Sequence, residues 1–270
     1  MKTQRIERNE YFSPGRFFFI LKRDFLSNYR TILITIGAIA AFVILTSTVS
    51  ALNHRGEEFH TILYFLLLYI GGFIISSRAF REMYNSRRSF TYITLPGSQL
   101  EKFIGRLIST SIGYVLGTLI IYSAVAAVSE IINQLLFGYT HAFLNPFTKV
   151  FLIGCAAFVV VQSLFLTGAV FFKKNSLIKT VLMLMVLTFA ILVIVILSAR
   201  FIFPGFFKGI NPVKQEFQSL QELTEWLGIT EDRLRTVAKS AWIVIKVLYW
   251  AVLAPLCWTV SYFKFRKVEV

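Results

Sequence analysis

The sequence predicts an all-α, polytopic membrane protein with six transmembrane helices. Two observations carry this prediction: six long runs with almost no charge, and a low content of charged residues overall. A helix rises about 1.5 Å per residue, so roughly 20 apolar residues cross a hydrocarbon core of about 30 Å. Helices are expected because each one satisfies its own backbone hydrogen bonds inside lipid. The runs lie at residues 31–52, 61–77, 107–129, 150–172, 180–199 and 240–263.

The composition agrees with a single membrane domain over residues 1–270. Only 16 % of the residues are charged, against about 25 % in an ordinary soluble domain. The net charge of +14 lies beside the apolar spans, which favours the lipid bilayer with its anionic headgroups as a partner and not nucleic acid. Allowing for short helical extensions, we place the spans at about residues 31–52, 60–77, 104–129, 149–172, 179–200 and 240–263.

The positions of lysine and arginine set the expected orientation. Of the 28 basic residues, 19 lie before span one, between spans two and three, between spans four and five, or after span six. Basic residues concentrate in the cytoplasmic loops of membrane proteins. The sequence therefore predicts a multi-pass protein of the cell (inner) membrane with both termini in the cytoplasm.

Residues 12–30 precede span one and show a helical pattern of their own. Phe18, Leu21, Phe25 and Tyr29 recur at helical spacing, while basic side chains cluster on the opposite face. This pattern is typical of an amphipathic helix that lies in the membrane interface. The alternative is a plain continuation of span one into the cytoplasm.

The cytoplasmic loop at residues 78–103 carries the clearest local signals. Pro96 and Gly97 indicate a turn, and Ser98 followed by Glu101 is a capping box that starts a helix at about Gln99. An apolar and basic patch beside the turn is a candidate docking surface. Its members are Arg87, Arg88, Phe90, Tyr92, Leu95 and Pro96. Ser98 and Glu101 of the capping box are candidates for the same docking role. The plainer interpretation of the arginine pair is the positive charge that cytoplasmic loops normally carry.

Two segments are expected on the outer side of the membrane. Residues 130–148 are interrupted by polar residues and predict an outer interfacial helix followed by a turn. Residues 203–239 predict an extracytoplasmic segment whose last helix is capped by Thr230 and runs into span six. Glu231 and Asp232 favour the positive N-terminal end of that helix.

Catalytic motifs are absent, so the chain is not expected to be an enzyme. It has no phosphate-binding Gly-x-x-x-x-Gly-Lys-Ser/Thr run, no His-Glu-x-x-His and no Gly-x-Ser-x-Gly. His54, His60 and His141 lie at predicted outer boundaries without metal-ligand spacing. No metal site is predicted, and a site shared by the three histidines stays open as a minor alternative. The ionisable residue at depth is Lys246, which is expected to snorkel toward the outer surface.

Milder polar and small residues inside the spans indicate helix packing. Gln162 and Ser163 are expected to bond neighbouring helices, with substrate contact as the alternative. Gly71 and Gly72 of span two permit a bend. These four residues are the candidates for a substrate pathway.

A strip of small residues in span three predicts close approach of another helix. Ser109, Gly113 and Gly117 recur at intervals of four, which leaves room for a neighbouring backbone. The strip does not reveal whether the partner helix lies in the same chain or in a second subunit of a dimer.

These features together resemble the permease subunit of a type-2 ABC exporter, in its bacterial six-span form. The resemblance rests on the basic amphipathic helix before span one, six spans with both ends inside, and the run Leu95-Pro96-x-Ser98-x-x-Glu101-Lys102. It implies that the loop at residues 78–103 holds a coupling helix that docks on a separate ATPase subunit. It also implies that two permease subunits, identical or different, pair to form the substrate path.

The resemblance therefore implies the membrane-spanning subunit of an ATP-driven exporter. With no nucleotide motif, this chain would hold no cofactor, and ATP and Mg²⁺ would bind to the partner ATPase. Two other functions stay open: an ATP-independent carrier or channel, and a non-transporting scaffold or immunity protein. The sequence does not reveal the substrate.

Overall fold

The computed structural model describes residues 13–27, 29–52, 58–84, 98–202 and 231–269. Within these ranges the chain forms helices and turns and no strand. A 3₁₀ turn at Arg81–Tyr84 and a π turn at Leu248–Val252 complement the α-helices. The helices are α1 (Pro14–Ser27), α2 (Tyr29–Leu52), α3 (Phe59–Ser77), α4 (Gln99–Thr110), α5 (Ile112–Phe137), α6 (Lys149–Phe171), α7 (Ser176–Ile202), α8 (Glu231–Val247) and α9 (Leu253–Glu269).

Among the described residues, six helical segments are long and apolar enough to span a membrane, which confirms the predicted all-α polytopic class. α4 and α5 together form one of them, Gln99–Phe137, and the end of α8 joins α9 in another, Lys239–Lys267. The remaining four lie in α2, α3, α6 and α7. The chain is therefore a multi-pass membrane protein.

The chain divides into two compact units. One lies within Met1–Leu177 together with Ala254–Val270, and the other lies within Ile178–Leu253. The second unit contains most of α7 and all of α8. Large apolar side chains of α7, such as Leu182 and Phe189, are exposed, as expected of a helix that faces lipid. The candidate sites described below belong to the first unit.

In the first unit, α2 packs against α5, and α3 packs against α6. Gly72 lies against the Phe158 ring and Gly71 lies against the Tyr114 hydroxyl, so a side chain at either glycine would overlap these groups. The two glycines therefore serve close helix packing. Their place on a substrate pathway stays a prediction.

α5 extends further than predicted. It runs unbroken through Phe137 and ends at Gly138, whose φ of 62° is a left-handed conformation that glycine adopts without strain. The prediction of a separate outer helix within residues 130–148 is wrong. Glu130 and Asn133 face inward, where they are hydrogen-bonded, and the apolar side chains around them stay on the outside of the helix.

The small-residue strip does not lie on one continuous helix. The chain leaves helical geometry at Ser111, whose ψ is −94°, so Ser109 lies on α4 whereas Gly113 and Gly117 lie on α5. A side chain at Gly113 would lie 3.1 Å from the Ile108 carbonyl oxygen, which explains the glycine at this break. The strip therefore crosses the break at Ser111, and its role in helix packing or subunit pairing stays a prediction.

α1 has one face buried beside α4 and another face exposed. Phe17 and Ile20 are buried, whereas Phe18 and Phe19 are 67 % and 60 % exposed. Phe18, the first residue of the predicted lipid-facing side, is exposed, whereas the last, Tyr29, belongs to α2. The exposed phenylalanines suit a membrane interface, and the placement of α1 there stays a prediction.

The helix that leads into the last span begins at the predicted residue. α8 starts at Glu231 and continues through the π turn into α9. The π turn lies just before Pro255, which has no N–H to bond the carbonyl of Ala251. The predicted cap Thr230 and the rest of residues 203–230 lie outside the described residues.

Candidate functional site

The predicted docking patch lies outside the described part of the chain. Its members are Arg87, Arg88, Phe90, Tyr92, Leu95 and Pro96. The helix that follows is described, and Ser98 and Glu101 form the predicted capping box. The Ser98 hydroxyl accepts the N–H of Glu101 at 3.2 Å, and the Glu101 carboxylate accepts the N–H of Ser98 at 2.9 Å. The predicted start of this helix is therefore confirmed.

Glu101 also bonds the first turn of α1. Its Oε1 accepts the backbone N–H of Ser13 at 2.6 Å and the guanidinium of Arg16 at 3.2 Å. The Glu101 side chain is fully buried, so these donors replace the hydrogen bonds that it would make with water. One carboxylate thus joins two helices through residues 85 positions apart. We name this set of four residues, Ser13, Arg16, Ser98 and Glu101, the Glu101 junction.

Three phenylalanines support the same end of the bundle. Phe80 follows α3, Phe103 lies on α4 and Phe265 lies on α9, with ring centroids 5.3, 5.8 and 5.9 Å apart. Nearby, the Tyr84 hydroxyl donates a hydrogen bond to the carbonyl of Val170. Burial raises the pKa of the Tyr84 phenol, which keeps this donor protonated. These contacts fix α3, α4, α6 and α9 to one another beside the predicted docking loop.

Gln162 of α6 links three helices. Its Nε2 donates to the hydroxyl of Ser76 on α3 at 2.9 Å and to that of Thr110 on α4 at 3.0 Å. The interpretation of Gln162 as a bond between helices is confirmed. Ser163 instead donates to the carbonyl of Val160 on its own helix, so the expected bond to a neighbour is wrong. A role of either residue in substrate contact stays a prediction.

A second buried carboxylate, Glu130 of α5, lies at the opposite end of the bundle, where α2 and α5 end and α3 begins. Polar side chains from α2, α3, α5 and the turn after α5 meet around it, and all of them are buried. We name this set the Glu130 cluster. Its members are Ser47, His60, Tyr122, Glu130, Asn133 and His141.

One oxygen of Glu130 is crowded by possible donors. A carboxylate oxygen has about two lone-pair positions, yet four polar atoms compete for this one. Oε2, by contrast, accepts the backbone N–H of His141 at 2.7 Å. The atoms around Oε1 are His60 Nε2 at 2.9 Å, Ser47 Oγ at 3.0 Å, and Asn133 Nδ2 and His141 Nδ1 at 3.1 Å each.

The other nitrogens of both imidazoles are held as well. His60 Nδ1 lies 3.0 Å from the hydroxyl of Tyr122, and His141 Nε2 lies 3.1 Å from that of Ser50. Phe59 stacks on the His141 ring with centroids 4.9 Å apart. One nitrogen of each imidazole and a carboxylate oxygen therefore converge, all within 4.8 Å of one another. This arrangement has the chemistry to bind a metal ion or to pass a proton between histidine and glutamate.

No family model, curated protein or solved structure matches the chain. The two buried carboxylates are therefore interpreted from their own surroundings. Both lie in the first unit, and each joins helices that are distant in the sequence.

The structure brings together two of the three histidines considered in the sequence. His60 and His141 meet at Glu130, whereas His54 lies outside the described residues. Only the three histidines were weighed as metal ligands when no metal site was predicted. Glu130 was not weighed, because it was assigned to a separate outer segment.

Glu130 was not predicted as a functional residue. Glu130 lies in the span-forming segment Gln99–Phe137 and is buried. A signal was present in the sequence: Glu130 and Asn133 are three positions apart and share one face of an otherwise apolar helix. The sequence did not show which residues of other helices contact this face.

Proposed function

We propose that this chain is the membrane-spanning subunit of an ATP-driven exporter, and that a separate ATPase subunit docks at the loop within residues 78–103. The Glu101 junction carries the proposal. It joins α1, which precedes the first span, to α4, which directly follows the docking loop, through a buried carboxylate. The end of the loop is therefore attached to a rigid body and does not end in a freely hinged helix.

An exporter without its own ATP site needs such a rigid attachment, because movement of the docked ATPase has to be converted into movement of packed helices. A push on the loop before Ser98 reaches α4 through the capping box and reaches α1 through Arg16. The rings of Phe80, Phe103 and Phe265 extend the same connection to the end of α3 and to α9. A loop that only carried the positive charge usual for cytoplasmic loops would need none of these buried contacts.

The proposal includes a second permease subunit, identical or different. Six spans make a small bundle for a central path, and a partner would complete it. Ser109 and Gly113 are exposed in this chain, and exposed small residues permit close approach of another helix. The distribution of basic residues supports the cell membrane with both termini in the cytoplasm.

The test uses the full-length chain, tagged and solubilised from its native membranes in a mild detergent. The proposal predicts that an ATPase subunit co-purifies and that the preparation hydrolyses ATP. The double variant Arg87→Glu/Arg88→Glu should lose both. As a matched control, Lys173→Glu/Lys174→Glu reverses an exposed pair in the predicted cytoplasmic loop after α6 and should keep both. Intact binding and hydrolysis in the arginine variant would refute the docking site, and ATP turnover by the isolated chain would refute the function.

One observation favours a second candidate, an ion-coupled carrier that needs no ATPase. Such carriers use ionisable side chains at depth in the membrane, and Glu130 contacts His60 at 2.9 Å inside span-forming helices. The carrier predicts that the purified chain alone moves protons into liposomes under an imposed potential, as reported by an enclosed pH-sensitive dye. The exporter predicts no such flux.

A further inference from the structure

We propose that the Glu130 cluster binds one divalent transition-metal ion, with zinc as the best match, through His60 Nε2, His141 Nδ1 and the carboxylate of Glu130. Two imidazole nitrogens and one carboxylate are a ligand set that zinc uses, and they leave a fourth position open. The proposal stands whether or not the chain is an exporter, because it depends on this cluster alone.

The spacing of the three ligating atoms is close to that of a zinc site. Ligands about 2.0–2.1 Å from a tetrahedral ion lie about 3.3 Å from one another. Here the nitrogens of His60 and His141 lie 2.9 and 3.1 Å from Oε1 of Glu130, and all three atoms fall within 4.8 Å. Small side-chain adjustments are enough to admit an ion between them.

The outer partners of the imidazoles suit metal binding. Each ring presents a lone pair to the centre when its proton sits on the other nitrogen. The hydroxyl oxygen of Tyr122 can accept that proton from His60 Nδ1, and the hydroxyl oxygen of Ser50 can accept it from His141 Nε2. Hydrogen bonds of this kind orient metal-bound histidines and fix their tautomers. The two inward lone pairs and the carboxylate then repel one another until a cation sits between them.

The hydrogen bonding of Glu130 and Asn133 also favours a bound ion. Four polar atoms crowd one oxygen of Glu130, while Oδ1 of the fully buried Asn133 has no donor among the described residues. An unpaired buried amide oxygen costs free energy. The unpaired Oδ1 therefore leaves capacity beside Glu130 for one more donor, such as a water molecule that enters with the ion.

The chemistry of the ligands selects the class of ion. Calcium takes six to eight oxygen ligands, and magnesium usually keeps several of its waters. The cluster offers two imidazole nitrogens, which suit zinc and its first-row neighbours. The bound ion would join the start of α3, the end of α5 and the turn that carries His141. Its expected role is to clamp this end of the bundle.

The test uses the full-length chain in detergent, purified with a tag that contains no histidine. The protein is stripped with EDTA and then equilibrated with zinc against a competing chelator. We expect about one zinc per chain by elemental analysis, because the three ligands form one site. Zinc should also raise the unfolding midpoint, since it binds only the folded chain. Cobalt should give the visible absorption of a four-coordinate site.

Two variants and two matched controls decide the result. His141→Ala removes a ligand from a turn, and Glu130→Gln removes the charge with little change of shape; each should weaken zinc binding about a hundredfold or more. His54→Ala, at a histidine with no assigned role, and Glu58→Gln, at an exposed carboxylate beside α3, should bind as the parent does. Circular dichroism and gel filtration identify any variant that fails to fold, and the comparison then uses the remaining one. Zinc content of the folded parent no higher than that of His141→Ala would overturn the proposal, and so would equal losses in His54→Ala and His141→Ala.

Discussion

Two buried glutamates hold the two ends of the first unit, and their surroundings differ. Glu101 divides its oxygens between two backbone N–H groups and one guanidinium, all of them permanent donors. Glu130 has one oxygen that four side-chain atoms approach, two of them imidazole nitrogens whose protons can move. At one end Glu101 has permanent donors and only joins helices. At the other end Glu130 and the imidazoles around it are able to bind a ligand.

Helix position explains the difference. Glu101 lies in the first turn of α4, where backbone N–H groups have no partner inside the helix and are free to bond a carboxylate. Glu130 lies inside α5, where the N–H groups are already used by the helix. Its donors therefore have to come from side chains and from the turn that follows. The imidazoles among these side chains can also bind metals and carry protons, whereas backbone N–H groups do neither.

The largest effect is expected at the Glu101 junction. Glu101→Ala removes the buried carboxylate that accepts the N–H groups of Ser13 and Ser98 and the guanidinium of Arg16, so we expect a loss of about 3 kcal/mol in the free energy of unfolding. Unfolding in mixed detergent micelles measures it. The control is Glu58→Ala at an exposed position, with a change of about 0.5 kcal/mol or less. If the two variants lose equally little, the junction is not a structural joint.

A smaller effect is expected where α3 and α6 connect the two ends. Gly72→Ala drives a methyl group into the Phe158 ring, which should cost about 2 kcal/mol through overpacking. Gly117→Ala places the same methyl group in open space and should be neutral or slightly stabilising, because alanine favours the helix. Both are measured by the same unfolding assay. Equal stability of the two variants would show that the ends are not held by tight packing between these helices.

The smallest change in stability is expected at Tyr122, with a clear change in metal binding. Tyr122→Phe removes the hydroxyl beside His60 Nδ1 and should cost about 1 kcal/mol, but it should weaken zinc binding about tenfold. The control is Tyr64→Phe, whose hydroxyl bonds the carbonyl of Val115 and not a ligand. A chelator competition assay measures both. Equal zinc affinity in the two variants would mean that the hydroxyl does not orient the histidine.

The six spans and the capping box could be predicted because their causes are local. A bilayer imposes a length on each apolar run, and a cap depends on residues three positions apart. Phe17, Phe18 and Phe19 are consecutive and fit more than one face of a helix, so the sequence did not show that Phe17 is the buried one.

The contacts of the two glutamates could not be predicted in the same way. Arg16 lies 85 positions from Glu101, and His60 lies 70 positions from Glu130. Their meeting depends on how the helices pack, and no local pattern encodes that. The position of Asn133 beside Glu130 indicated a polar helix face, but it did not identify the imidazoles that meet this face.

The proposed function requires the Glu101 junction and the Glu130 cluster to lie on opposite sides of the membrane. The exporter requires the Glu101 junction to lie in the cytoplasm with the ATPase, and it then follows that the Glu130 cluster lies toward the outside. Cysteine accessibility measures this directly once the native Cys155 and Cys257 are replaced by alanine. A single cysteine is then introduced as Gly56→Cys, between α2 and α3, or as Ser86→Cys, between α3 and α4.

Intact cells are treated with a maleimide that does not cross membranes, before and after permeabilisation. We expect Gly56→Cys to react in intact cells and Ser86→Cys to react only after permeabilisation. The reverse pattern would place the docking loop on the side without ATP and would contradict the proposed function.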